Sequence, residues 1–122
     1  MSWVSLLYVA LGGAAGSVAR ALAGQALAGR FPWATLLVNV VGSLLIGTLM
    51  ARFGVADTVA DLRWRALLAT GFCGGFTTFS TFSWQTVEQM QRGQWGVAAA
   101  NVLLSVSLCL LATWLGFRLG RA

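Results

Sequence analysis

The sequence predicts an all-α integral membrane protein of four transmembrane helices, the third broken near the bilayer midplane, and three observations lead there. Composition is the first: 58% hydrophobic and 9% charged residues, with a mean hydropathy of +0.80, lie far from the soluble norm of roughly 25% charged. The second is the spacing of charge, which leaves none between Arg30 and Arg52, between Arg65 and Glu88, or between Arg92 and Arg118. Each gap, like the apolar stretch at residues 1–19, matches the roughly 20 residues that a helix needs to cross about 30 Å of hydrocarbon. The third is tryptophan. Trp3, Trp33, Trp64, Trp84, Trp95 and Trp114 all fall within a turn or so of an expected interface, where amphipathic rings belong.

The first helix is expected over residues 3–28. No positive charge precedes Arg20 and the apolar run is too long for the core of a secretory signal, so the segment is expected to stay in the mature protein. Gly12, Gly16, Arg20 and Gly24 recur every four residues and share a face. The glycines allow close backbone approach. Arg20 either caps a helix end or holds an aqueous vestibule positive, where it would draw in anions. The second helix, residues 33–50, begins just after Pro32, which needs no donor there. Its stripe is Thr35, Asn39, Ser43 and Gly47.

The third helix, residues 62–90, carries Gly71-Phe72-Cys73-Gly74-Gly75-Phe76-Thr77-Thr78-Phe79-Ser80-Thr81-Phe82-Ser83, which mixes three glycines with five hydroxyl residues. Two adjacent glycines weaken a helix by roughly 2 kcal/mol relative to alanine, and threonines can bond carbonyls of the preceding turn. A break is expected there, and the charge-free run is centred on Phe76 and Thr77. Unwound backbone at that depth is tolerated only inside protein or beside water. Freed carbonyls of Gly74 and Thr77 would make a cation site, while N–H groups and hydroxyls beyond the break, Thr78 and Ser80 among them, would face an anion. A glycine-rich packing kink with no ion is the alternative. Phe79 and Phe82 share a face; they are either plain apolar bulk or ring edges whose partial positive charge supports a small anion. The fourth helix, residues 95–118, places Asn101, Ser105 and Cys109 at four-residue intervals, as interhelical glue or as a polar track.

Eight arginines against three acids, with no lysine, give a net charge of +5. Their position near span ends points to membrane anchoring rather than to nucleic acid. With both termini on one side, that side holds Arg52, Arg63, Arg65, Arg118 and Arg121, and the other holds Arg20, Arg30 and Arg92. So weak a positive-inside bias leaves two readings: a single topology, or insertion both ways, with two opposed copies supplying the inverted symmetry that larger transporters encode as repeats. Residues 1–122 read as a single unit, and four short helices enclosing a pore imply a homo-oligomer. Histidine is absent, which excludes histidine triads and histidine metal sites. Cys73 and Cys109 fall inside spans and read as small apolar residues rather than a disulfide.

Taken together, these motifs resemble those of the bacterial Fluc fluoride channels, the CrcB family. The resemblance runs almost end to end, through Gly12-Gly13-Ala14-Ala15-Gly16-Ser17-Val18-Ala19-Arg20, Thr35-Leu36-Leu37-Val38-Asn39-Val40-Val41-Gly42 and the run from Gly71 to Ser83. It implies passive, fluoride-selective conduction across the bacterial inner membrane by a dual-topology antiparallel homodimer with two pores, protecting the cell from fluoride. By matching positions it implies that Asn39 donates to fluoride, that Phe79 and Phe82 supply ring edges, and that Ser105 lies along a polar track with Asn101. It also implies a structural sodium ion at the dimer centre, held by the carbonyls of Gly74 and Thr77 from each subunit. The implied partners are fluoride, sodium, lipid and a second copy. Two positions depart from the pattern: Gln85 stands where the family usually has glutamate, and Asn101 where it commonly has tyrosine.

Fluoride is strongly hydrated, and a bare ion in a low-dielectric medium costs tens of kcal/mol unless donors replace its shell. Asn39, the hydroxyls and backbone N–H groups are the available donors. The rival readings are a small proton-coupled multidrug exporter, which needs a membrane-embedded carboxylate, and a non-transporting assembly subunit. The first, second and fourth spans hold no carboxylate, and Glu88 lies at a helix end. Without histidine, paired carboxylates or a reactive thiol environment, the chain is not expected to be an enzyme.

Overall fold

The computed structural model describes residues 1–29 and 31–122, and among these the regular elements are helices. They are α1 (Trp3–Ala26), α2 (Trp33–Phe53), α3 (Val59–Trp64), a π-helical segment (Arg65–Cys73), α4 (Gly74–Phe76), α5 (Phe79–Gln91) and α6 (Trp95–Arg121). Arg30, one of the three arginines on the less basic side, lies outside the described residues. Three helices, α1, α2 and α6, are long and apolar enough to cross a membrane unbroken. The expected third span is composite, running through α3, the π segment and α4 to an interruption, after which α5 resumes. It begins three residues earlier than expected because the Thr58 hydroxyl caps α3, accepting the Asp61 N–H at 3.1 Å.

Backbone-to-backbone approach through glycine holds the frame together. A Cβ on Gly12 would overlap the Leu67 carbonyl, and one on Gly16 the Phe72 carbonyl, so the α1 stripe is the face that seats the π segment. On the other side, a Cβ on Gly47 would strike the Thr113 carbonyl and one on Gly116 the Leu44 carbonyl, so α2 and α6 touch backbone to backbone. In a membrane, where burying apolar area between helices gains little over lipid, such close van der Waals packing is the main cohesive term. Among the described elements α5 packs only on α6 and α2.

The exterior is apolar, with leucine and valine side chains pointing outward along α1, α2 and α6. All six tryptophans are at least 50% exposed. The Arg118 guanidinium lies 5.5 Å from the centre of the Trp114 ring, a cation–π contact at the end of α6. Both cysteines are free, as the sequence implied.

The break lies beyond the glycines rather than at them. Gly74 and Gly75 stay helical, and the backbone turns extended at Thr77 (φ −87°, ψ 156°) and Thr78 (φ −151°, ψ 114°). Gly75 serves packing instead, since a Cβ there would overlap the Gly13 carbonyl. Gly16→Leu is therefore expected to push α1 off the π segment and to destabilise the protein by about 1–3 kcal/mol. Gly24→Ala, with nothing within 4 Å of its Cβ, should not destabilise it and should add up to about 1 kcal/mol through helix preference. Thermal unfolding of the two variants in detergent checks the contrast.

Candidate functional site

Unwinding at Thr77 and Thr78 takes backbone polar groups out of the helical ladder, and each needs a partner. Asn39 on α2 supplies both partners of Thr78. Its Nδ2 donates to the Thr78 carbonyl at 3.2 Å, and its Oδ1 accepts the Thr78 N–H at 2.8 Å. The Thr78 hydroxyl caps α5, accepting the Thr81 N–H at 3.2 Å and donating to Thr81 Oγ1 at 3.1 Å. Before the break, the Thr77 N–H and hydroxyl both donate to the Cys73 carbonyl, at 3.0 and 2.9 Å. Arg20 Nε donates to the Gly75 carbonyl at 3.1 Å. Arg20 thus satisfies a carbonyl at the end of α4, and it also walls a second cavity.

These bonds leave two carbonyls over. Among the described residues nothing donates to the Gly74 or Thr77 oxygen, and both residues line a cavity of about 520 Å³ beside the break. Hard oxygen donors of this kind suit a hard cation. Among the described residues no cluster of three or more acids, cysteines or histidines could hold a metal through side chains.

The same cavity is walled by Asn39 and Ser43 from α2, Phe79 and Phe82 from α5, and Ser105 and Cys109 from α6. The α2, α5 and α6 stripes thus contribute to one space. The two phenylalanine rings meet edge to face, centroids 5.5 Å apart and planes at 75°. They are unequally covered: Phe82 is 8% exposed and Phe79 80%. A second cavity of about 420 Å³ is walled by Arg20, Thr35, Thr81 and Gln85 among others, and Thr78 is the residue common to both.

Two residues expected along the pore line neither cavity. Ser80 is exposed and in neither wall, its hydroxyl 3.3 Å from that of Thr78. Asn101 is 2% exposed and also in neither wall, its amide placed between α5 and α6. Its Nδ2 donates to Thr86 Oγ1 at 3.0 Å, and its Oδ1 accepts from Ser105 Oγ at 3.3 Å. Thr86 went unnoticed in the sequence. The available signal was its place four residues after Phe82, the spacing at which a helical threonine bonds a carbonyl, as it does here at 2.8 Å. Gln85 and Gln89 each keep a buried side-chain oxygen without a partner among the described residues. Glu88 pairs with Arg92 at 2.9 Å on the exposed surface of α5.

The family model described as CrcB-like protein, Camphor Resistance (CrcB), matches residues 7–117. The chain belongs to the CrcB family. The match spans every CrcB-family residue placed above, from Arg20 through Ser105. The fluoride-specific ion channel FluC of Geobacter sulfurreducens is 49% identical over 121 residues, covering 96% of this chain and 97% of the relative. That of Opitutus terrae is 51% identical over 117 residues, covering 90% and 87%. That of Paramagnetospirillum magneticum is 49% identical over 113 residues, covering 88% of each. Membership and the apolar helices make this CrcB-family chain a multi-pass helical membrane protein.

Asn39→Leu should leave the Thr78 N–H and carbonyl without partners. At about 1–3 kcal/mol for each buried unsatisfied group, a loss of about 2–6 kcal/mol is expected. Asn39→Asp keeps the acceptor for Thr78 N–H but sets a carboxylate against the Thr78 carbonyl within the membrane, and should lose at least as much. Denaturation of both variants in the same detergent measures the order.

Proposed function

We propose that this protein is a fluoride-specific channel that passes the ion passively and lets the cell shed it. The CrcB match and the FluC relatives at near-full coverage support the activity. The observation that carries the mechanism is the helix break tied to Asn39, which sets an amide, two phenylalanine rings and a hydroxyl around one cavity. Desolvating fluoride is affordable only where donors replace water. Asn39 keeps one Nδ2 hydrogen beyond the one given to Thr78, and the ring edges add positive potential without a deep well.

The functional unit is an antiparallel homodimer of four-crossing chains, with α3 to α5 forming the broken crossing. Phe79 lines the cavity yet is 80% exposed, so a second copy lying across this face would close the path and supply the rest of its wall. At the centre, the carbonyls of Gly74 and Thr77 from both copies would hold sodium, which supplies fixed positive charge and ties the breaks together. The protein would act in the bacterial inner membrane. An exporter driven by protons would need an embedded carboxylate, and Glu88 is instead paired with Arg92 at the surface.

Fluoride efflux from vesicles loaded with potassium fluoride, read with a fluoride electrode, tests the reading. The unmodified protein should discharge the vesicles, and Asn39→Ala and Phe82→Ile should each slow discharge at least tenfold. Unchanged flux in both variants would remove the pore from this cavity. No flux from the unmodified protein would remove the channel itself.

A further inference from the structure

A chain of hydrogen bonds joins α5 to α6, and its direction can be read from its far end. The Thr86 hydroxyl gives its one hydrogen to the Phe82 carbonyl, so towards Asn101 it can only accept. Asn101 therefore turns Nδ2 to Thr86 and Oδ1 to Ser105, which donates to it. Thr86, Asn101 and Ser105 are 6%, 2% and 7% exposed, so water barely competes. Of the three, only Ser105 reaches the cavity wall. It meets the cavity with its lone pairs, because its hydrogen is turned back to Asn101.

We propose that Asn101 is a specificity-determining positioning residue, which holds the Ser105 hydroxyl away from the cavity until an anion accepts that hydrogen more strongly than an amide oxygen does. The inference rests on the cavity being the fluoride path. Turning the hydroxyl to an anion strips Asn101 Oδ1 of its donor in a place water hardly reaches, a loss the new bond must offset. Fluoride, small and charge-dense, offsets it. Chloride spreads the same charge over a larger ion and offsets it far less. The 3.3 Å separation is long for a hydroxyl donor, so the restraint is weak enough to release as an ion passes. Discrimination at this point is a competition for one hydrogen and does not depend on pore width.

The test compares fluoride and chloride flux through the full-length protein in matched vesicles. Asn101→Leu keeps the volume and removes the acceptor, leaving the Ser105 donor open to either anion. The fluoride-to-chloride flux ratio should fall at least tenfold, chiefly through a rise in chloride. In a Ser105→Ala background the same change should leave the ratio where that background sets it, because the hydroxyl it acts through is gone. A ratio unchanged by Asn101→Leu overturns the inference, and so does an equal fall in the Ser105→Ala background, which would indicate a packing leak. Should the leucine variant fail to assemble, Asn101→Ala is read by the same ratio. Loss of fluoride flux in the unmodified protein would instead defeat the channel reading beneath it.

Discussion

Opening a helix inside hydrocarbon exposes backbone dipoles that lipid cannot satisfy, and the amide of Asn39 is what makes that opening possible here. It takes both the N–H and the carbonyl of Thr78, replacing with one side chain what the helical ladder would have given. Several kcal/mol per unsatisfied group would otherwise drive the segment back to helix or out of the membrane. With Thr78 held extended, its hydroxyl can begin α5 on a new axis. The free carbonyls of Gly74 and Thr77, the placement of Phe79 and Phe82, and the cavity between them all follow from that single fixed point.

Two kinds of cohesion divide the molecule. Glycine contacts bring α1 onto the π segment and α2 onto α6 at backbone distance, which gives stiff pairs with little room for adjustment. The helix that bears both cavity phenylalanines has no such contact. Instead α5 is tied at its start through Thr78 to Asn39, and further along through Thr86 to Asn101. Directional bonds fix register in a way that apolar contact does not. A helix attached through two amides is therefore held in one rotation about its axis, with Phe82 buried and Phe79 outward.

Much of this was legible in the sequence because lipid makes polarity expensive. Charge gaps gave the long apolar helices, and the crowd of glycine and hydroxyl residues after Gly71 marked the broken segment. Where the reading stopped, the reason was pairing in space. Adjacent glycines can unwind a helix or admit a neighbour, and only the position of α1 decides that Gly75 does the latter. Asparagine in a stripe can serve an ion or the protein; Asn39 walls the cavity while holding Thr78, whereas Asn101 joins Thr86 to Ser105 and lies in neither cavity wall. The π-helical stretch from Arg65 to Cys73 left no mark that periodicity could detect.

The state of the donors carries a last consequence for conduction. One Asn39 hydrogen goes to Thr78, the Thr78 hydroxyl to Thr81, and the Ser105 hydroxyl to Asn101. An ion crossing the cavity would thus find few hydrogens waiting, and would borrow others only by disturbing bonds that reform behind it. Freely offered donors would replace hydration fully and make a trap, while an apolar wall would make a barrier. Conduction needs entry to be favourable and departure easy. Were this cavity the ion's path, donors already engaged within the protein, backed by the two phenylalanine rings, would lie between those limits.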